Sequence, residues 1–138
     1  MNIVTLRVEG SDEALDILVE RLELKVDTRR KKGDAPRSGK PNSASGFSAT
    51  LADNVTPREI KTAIEGFLAL LQSKKIIFSE SGLSAEIAIG LMVGSDRQFV
   101  AGVEFNPGML RAVAELSLAI DVTAYPCSDE EPEIGSDT

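Results

Sequence analysis

The sequence changes repeatedly between two hydrophobic periods, and this change constrains the fold more than any other feature. Apolar residues recur at every second position in six segments, which predicts strands with one apolar face: residues 3–8, 22–27, 46–51, 85–93, 98–105 and 118–125. They recur every three to four positions in three other segments, which predicts amphipathic helices beginning after Ser11, Thr56 and Asn106. Each of these three residues is a preferred helix N-cap.

The predicted order of elements is β-α-β-β-α-β-β-α-β, and the strands at residues 85–93 and 98–105, joined by a turn at residues 94–97, are expected to form a hairpin. Because almost every predicted strand has one apolar face and one polar face, we expect a mainly antiparallel sheet with the helices packed on one face. The chain has 138 residues, of which 42% are hydrophobic, and this suits one compact domain with a buried core. The sequence therefore predicts a single α+β domain over residues 1–126.

Charge is distributed unevenly along the chain. The formal net charge is −7 at pH 7, yet residues 29–40 carry six Lys or Arg and a single acid. This basic stretch is rich in Pro, Gly and Ser, and we expect residues 28–45 to form a mobile loop between two strands. Residues 127–138 carry five acids, no base and almost no apolar side chain, so we expect a disordered acidic tail there.

The basic loop has three interpretations. It is a solvated loop, a partner-contact loop acting through Arg29, Arg30, Lys31 and Lys32, or a site for phosphate or nucleic acid. The third is disfavoured because the glycine and lysine spacing of a P-loop is absent and strands are predicted on both sides. The acidic remainder of the chain would also repel nucleic acid. We therefore expect no nucleic-acid partner.

The composition excludes several kinds of chemistry. His is absent and Cys127 is the single cysteine, which excludes Ser–His–Asp and Cys–His sites and an internal disulfide within this chain. The commonest metal ligand is also missing, so we assign no catalytic residue, no metal and no cofactor. No apolar run is long enough to span a membrane, and the N-terminus lacks the features of a signal peptide. This predicts a cytoplasmic protein with no membrane association.

The polar face of the predicted sheet is the candidate site. Three acids on different predicted strands point to it: Glu86, Glu104 and Asp121. Carboxylate clusters can perform acid/base chemistry or bind Mg²⁺, so a carboxylate-cluster hydrolase is one alternative, although such acids more often form a solvated face. The face also carries an aromatic residue, two cations and a methionine, a mixture that suits protein recognition: Tyr125, Arg7, Lys25 and Met92.

Three segments, in their order and spacing, resemble a known family. They are KKGDAP at residues 31–36, GFSATL at 46–51 and FNPGMLRAVAELSLAIDVTAY at 105–125. The chain resembles the bacterial domain-of-unknown-function family numbered 4279 over about residues 2–125. It departs from the family pattern at Ser48 and Ala49, where an aromatic residue is missing, and at Ser117, where Gly is usual. The resemblance implies a small cytoplasmic α+β protein without established catalytic residues, and some relatives look like immunity proteins that neutralise a toxin domain.

The acidic charge, the uncovered sheet face and the resemblance together predict a small binding protein rather than an enzyme. Its most concrete form is an immunity-type inhibitor that binds and neutralises a basic toxin domain, with association steered by charge. The alternative is a small-molecule-binding or regulatory module with an apolar pocket between helices and sheet. An uncovered face or edge strand would also permit a homodimer.

Overall fold

The computed structural model describes residues 2–35, 39–94, 98 and 100–127. In this part of the chain there are five strands, three α-helices and one short 3₁₀ helix. In chain order they are β1 (Asn2–Gly10), α1 (Asp12–Leu22), β2 (Thr28–Arg30), β3 (Ser45–Val55), α2 (Pro57–Ser73), the 3₁₀ helix (Phe78–Ser81), β4 (Ser84–Val93), α3 (Pro107–Glu115) and β5 (Leu118–Pro126).

The five strands form one mixed sheet in the order β2-β3-β1-β4-β5. β1 lies at the centre and is antiparallel to both β3 and β4, and β2 is antiparallel to β3. β5 is parallel to β4, and α3 lies in the connection between them, as parallel neighbours require a crossover. The prediction of an α+β domain with a mainly antiparallel sheet is therefore confirmed.

The helices pack on one face of this sheet. Alternate residues of β1, β3 and β4 are fully or almost fully buried there, among them Val4, Leu6, Phe47 and Ile87. The apolar stripe of each helix closes the core over them, as the 3.6-residue spacing predicts: Leu15, Leu18 and Leu22 of α1, Ile60, Ile64, Phe67, Leu68 and Leu71 of α2, and Met109, Ala112 and Val113 of α3.

The intervening residues of the strands point to the opposite side of the sheet, which we call the open face. Most of its side chains are exposed or half-buried, because the helices lie on the other side. From β2 to β5 it comprises Thr28, Arg30, Ser48, Thr50, Ile3, Thr5, Arg7, Glu9, Ser84, Glu86, Ala88, Gly90, Met92, Ala119, Asp121, Thr123 and Tyr125.

The predicted N-caps of all three helices are confirmed. The Ser11 hydroxyl accepts from the Ala14 N–H at 3.1 Å, and the Asn106 side-chain oxygen accepts from the Met109 N–H at 2.9 Å. Thr56 and Glu59 form a reciprocal capping box, with hydrogen bonds of 3.2 and 2.8 Å. Local side-chain chemistry thus sets where each helix begins.

Two predicted strands are wrong. Residues 22–27 do not form one, because α1 runs through Leu22 and the chain turns at Glu23 in a left-handed conformation (φ 53°). Thr28–Arg30 form β2 instead, so the basic loop is shorter than predicted. The described residues within 98–105 form no strand either, because β5 occupies the edge of β4 where a hairpin partner would pair. Ala101, Val103 and Phe105 still pack against the core, which explains their alternation.

Gln98, which follows β4 in the chain, is held by hydrogen bonds to β1 and β4. Its amide pairs with the Asn2 amide, through Asn2 Nδ2 to Gln98 Oε1 at 3.0 Å and Gln98 Nε2 to Asn2 Oδ1 at 2.7 Å. Both side chains are buried. The Gly94 N–H donates to the Gln98 carbonyl oxygen at 3.1 Å. Gln98 is thus held beside the start of β1 by side-chain hydrogen bonds.

Several predictions fall on residues outside the described ranges. They are the disordered state of the acidic tail beyond Cys127, residues 95–97 of the predicted turn at 94–97, and residues 36–38 of the basic loop. The mobility of the loop also stays a prediction.

Candidate functional site

Arg7 and Glu86 form an ion pair near the centre of the open face. The two residues lie directly opposite each other on the antiparallel strands β1 and β4, and Arg7 Nη1 is 3.3 Å from Glu86 Oε2. Their side chains are 54% and 35% exposed, so the pair contributes little to stability. The pair matters because it presents one positive and one negative charge to solvent at neighbouring positions on the sheet.

Tyr125 lies near the β5 end of the same face, opposite Met92 in the parallel register. Its ring passes over Gly90: a Cβ placed on that glycine would lie 3.3 Å from Tyr125 Cε2 and 3.1 Å from Ile3 Cγ2. The glycine therefore creates the space that lets the aromatic ring lie close against the sheet. Tyr125 remains 46% exposed, and with Ile3 and Met92 it forms an accessible apolar area.

Asp121 is the exposed acid of this face on β5. It lies opposite Ala88 of β4, two residues along β5 from Ala119, which lies opposite Glu86. In the described part of the chain its carboxylate makes no salt bridge. Five predicted contact residues thus share the open face: Arg7, Glu86, Met92, Asp121 and Tyr125.

Two predicted site residues do not lie on this face. Glu104 belongs to the segment that leads to α3, and it lines a cavity of about 300 Å³ with Pro57, Arg58 and Lys61 at the start of α2. Lys25 lies in the exposed connection between α1 and β2. Both errors follow from the two wrong strands. The three predicted acids are therefore not brought together, and the described residues contain no group of three His, Cys, Asp or Glu side chains that could hold a metal ion.

Arg29 and Arg30, predicted as loop contacts, are held by carboxylates. Arg29 donates to Asp16 at 2.9 Å and to Asp12 at 3.3 Å, on the first turns of α1. Arg30 donates to Glu9 of β1 at 2.7 Å. Both arginines thus tie β2 to neighbouring elements. The sequence hinted at this, because the acids at the start of α1 have no basic neighbours of their own.

The Asp12 carboxylate responds to these contacts. Its pKa is lowered because Ser45 donates a hydrogen bond to it and because Arg29 pairs with it. The pKa of Arg29 is raised, chiefly by its hydrogen bond to Asp16. Asp12, Asp16 and Arg29 thus form a charged connection between β2 and α1, which the sequence did not predict.

Lys31 and Lys32 are exposed cations of the basic loop, and within the described residues they form no salt bridge. Lys31 lines a cavity of about 560 Å³ together with Arg29, Arg30 and Asn42. Four of its seven lining residues are charged: Arg29, Arg30, Lys31 and Asp34. This is not the apolar pocket between helices and sheet that a small-molecule module predicts.

Residues 1–126 match the family model described as "Domain of unknown function (DUF4279)". The chain belongs to this family. The resemblance carried by the three sequence segments is therefore confirmed, and the five-stranded sheet with its helices is the fold of this DUF4279 member. Neither a curated protein nor a solved structure matches the chain. Among the described helices, none is both long and apolar enough to cross a membrane.

Proposed function

We propose that this DUF4279 protein is a small cytoplasmic binding protein that contacts a basic protein partner through its open face. Its most concrete form is an immunity-type inhibitor that occludes a basic toxin domain. The observation that carries the proposal is an exposed sheet face with an aromatic residue and charges of both signs. Aromatic residues beside polar groups are typical of the energetically important centres of protein interfaces.

The charge of the molecule supports a basic partner. The net charge is −7, and two of the loop arginines are already paired with carboxylates. On the open face, Arg7 and Arg30 are each paired with an acid, while Asp121 makes no salt bridge to a described residue. A basic domain would be attracted over a long range by the whole molecule and would find an exposed carboxylate at the face.

The proposal assigns no catalytic role. A hydrolase built on Glu86, Glu104 and Asp121 would need these carboxylates in one cleft. The location of Glu104 beside α2 argues against that alternative.

Binding by the open face is tested by affinity capture from the native host at low salt, followed by identification of the bound protein. We expect a stoichiometric basic protein. Tyr125→Ala should weaken its binding by about ten-fold or more, as for an aromatic interface centre. Asp121→Lys should slow association. Glu20→Lys on α1 is the matched control, because it makes the same charge change at an exposed position away from the open face.

If the protein is an immunity-type inhibitor, it should also protect cells from the captured partner. Cells that express the captured partner should stop growing, and co-expression of this protein should restore growth. Tyr125→Ala should reduce the protection, whereas Glu20→Lys should not. A captured protein that is acidic would refute the basic partner. Binding that both Tyr125→Ala and Asp121→Lys leave unchanged would refute the open face as the contact surface.

The alternative function, a small-molecule-binding module, has one supporting observation. The cavity beside β2 has a volume within the usual range for ligand sites. Both of its arginines are paired with carboxylates and its wall includes one acid, Asp34, but Lys31 forms no salt bridge to a described residue. Lys31 is therefore the group that would contact an anionic ligand. A thermal-shift screen of anionic metabolites tests it, because a ligand that binds the native state raises Tm by mass action. Lys31→Ala should abolish such a shift.

A further inference from the structure

β5 is the strand at one edge of the sheet, and most of its residues are exposed. It has nine residues, and each of residues 121–126 is exposed. Among the described residues, five large apolar side chains are exposed, and two of them lie on β5: Val122 at 48% on the helix side and Tyr125 at 46% on the open face. Edge strands of this kind present unpaired backbone N–H and C=O groups to another chain.

β5 also lacks the usual protection of an edge. Its sequence, LAIDVTAYP, contains no Lys or Arg, and its single proline is the last residue. The register with β4 is continuous from Leu118 to Pro126, without a bulge. By contrast, the opposite edge of the sheet, β2, has only three residues and is tied down by Arg29 and Arg30.

We propose that β5 pairs with β5 of a second copy of this chain, antiparallel, about a two-fold axis at Val122. This register pairs all nine residues of each strand. It places Val122 opposite its own copy, Ile120 opposite Ala124, Asp121 opposite Thr123, and Ala119 opposite Tyr125. Two five-stranded sheets thus become one continuous sheet of ten strands.

The chemistry of this register favours a second copy as the occupant. On the helix side, Val122 packs against Val122 and Ile120 against Ala124, which buries apolar side chains at the edge. On the open face, the Tyr125 ring lies beside the small Ala119. The two Asp121 carboxylates each face a threonine hydroxyl, whereas a register shifted by one residue to centre on Asp121 would place the two carboxylates directly opposite each other.

The net charge of each copy opposes this contact over a long range. Each chain carries −7, so two copies repel each other at low ionic strength, and salt should screen that repulsion. The dimer should therefore strengthen as salt rises. Binding of a basic partner should weaken under the same change, so the dimer and the proposed function can fail independently. The dimer does not depend on the proposed function.

The register is tested by cysteine crosslinking in full-length protein carrying Cys127→Ser. Directly opposite residues of antiparallel strands have Cα atoms about 4.5–5.5 Å apart, within the roughly 4.4–6.8 Å that a disulfide spans. Val122→Cys should therefore form a disulfide-linked dimer on mild oxidation. Ile120→Cys should not, because its two copies would lie about 13 Å apart, four residues along the strand. A mixture of Ile120→Cys and Ala124→Cys should crosslink again.

Self-association is measured in parallel by sedimentation of protein without added cysteines, over a range of concentration and salt. Val122→Lys should abolish the dimer, because it places two cations opposite each other. Ile17→Lys is the matched control, since Ile17 on α1 is 54% exposed and lies away from β5; it should leave the dimer intact. A wild-type monomer under all conditions, equal loss in both variants, or efficient crosslinking of Ile120→Cys alone would overturn the proposal.

Discussion

The paired amides of Asn2 and Gln98 allow a quantitative prediction about stability. Asn2 is fully buried, and all four hydrogen-bonding positions of its amide are used. Its Nδ2 donates to the Val55 carbonyl oxygen at 2.8 Å and to Gln98 at 3.0 Å. Its Oδ1 accepts from the Met92 N–H at 3.0 Å and from Gln98 at 2.7 Å. This one side chain therefore connects β1 to β3, to β4 and to the segment after β4.

Asn2→Ala should be strongly destabilising. Each buried hydrogen bond contributes a net of about 1 kcal/mol, so loss of four should lower the free energy of unfolding by about 3–4 kcal/mol. Gln98 also donates to the Met92 carbonyl oxygen, and Gln98→Ala should cost about 2–3 kcal/mol by the same reasoning. Gln72→Ala, which removes an exposed amide from α2, should change stability by less than about 0.5 kcal/mol.

The double variant provides the sharper test. Two of the hydrogen bonds join Asn2 to Gln98, so each single substitution removes both. The double variant should therefore be more stable, by about 2 kcal/mol, than the sum of the single effects predicts. Urea denaturation followed by circular dichroism measures the free energy of unfolding of the wild type, the two single variants and the double variant. The dependence of that free energy on urea concentration is compared among the four proteins. Coupling within about 0.5 kcal/mol of zero would refute the role of the amide pair.

Two further predictions concern glycines and pH. Gly66→Ala should stabilise the protein by up to about 1 kcal/mol, because the residue lies inside α2 and an added Cβ meets nothing within 4 Å. Gly46→Ala should destabilise it by about 2 kcal/mol or more, because the Cβ would lie 2.6 Å from a backbone oxygen of β1; equal urea midpoints for the two variants would contradict the predicted difference between them. Because Ser45 and Arg29 lower the pKa of Asp12 in the folded protein, its charged carboxylate stabilises the fold at pH values above its ordinary pKa of about 3.9. That stabilisation is lost as the pH falls through the lowered pKa. Asp12→Asn should therefore lower the urea midpoint at pH 7 but have a smaller effect near pH 3, and an equal effect at both values would contradict the assignment.

The helices could be predicted from the sequence because their determinants are local. Thr56, Pro57 and Glu59 specify the start of α2 within four residues, and the structure contains the capping box that they predict. The apolar stripe that follows then identifies the buried side of the helix. Neither inference depends on distant parts of the chain.

Strand pairing could not be predicted in the same way, because alternation reports which side chains are buried and not which backbone pairs with which. Ala101, Val103 and Phe105 alternate like a strand and do pack against the core. Their predicted partner, β4, pairs instead with β5 in parallel register. The placement of Glu104 depended on the predicted pairing, and the placement of Lys25 on a strand that α1 and its turn replace. Both were therefore wrong.

The shared face of five candidate residues could be predicted from alternation alone. Arg7, Glu86, Met92, Asp121 and Tyr125 lie in strands whose face assignment needs only the period of two. Their common face is confirmed by the registers of β1, β4 and β5. The position of Tyr125 over Gly90 required the three-dimensional pairing, since 35 residues separate the two in the sequence.

The parallel placement of β5 links the two proposals. Had residues 98–105 formed the predicted hairpin with β4, that strand would have covered the edge of β4. Instead, β5 ends the described sheet, so Tyr125 and Asp121 lie on the open face while the outer backbone of the same strand pairs with no described strand. Pairing about Val122 would place two open faces side by side and offer a partner two copies of the surface. Because salt should strengthen that pairing and weaken attraction to a basic protein, a salt series with Val122→Lys and Tyr125→Ala separates the contributions. Loss of partner binding on Val122→Lys at low salt, where the dimer should be weakest, would mean that β5 contacts the partner directly.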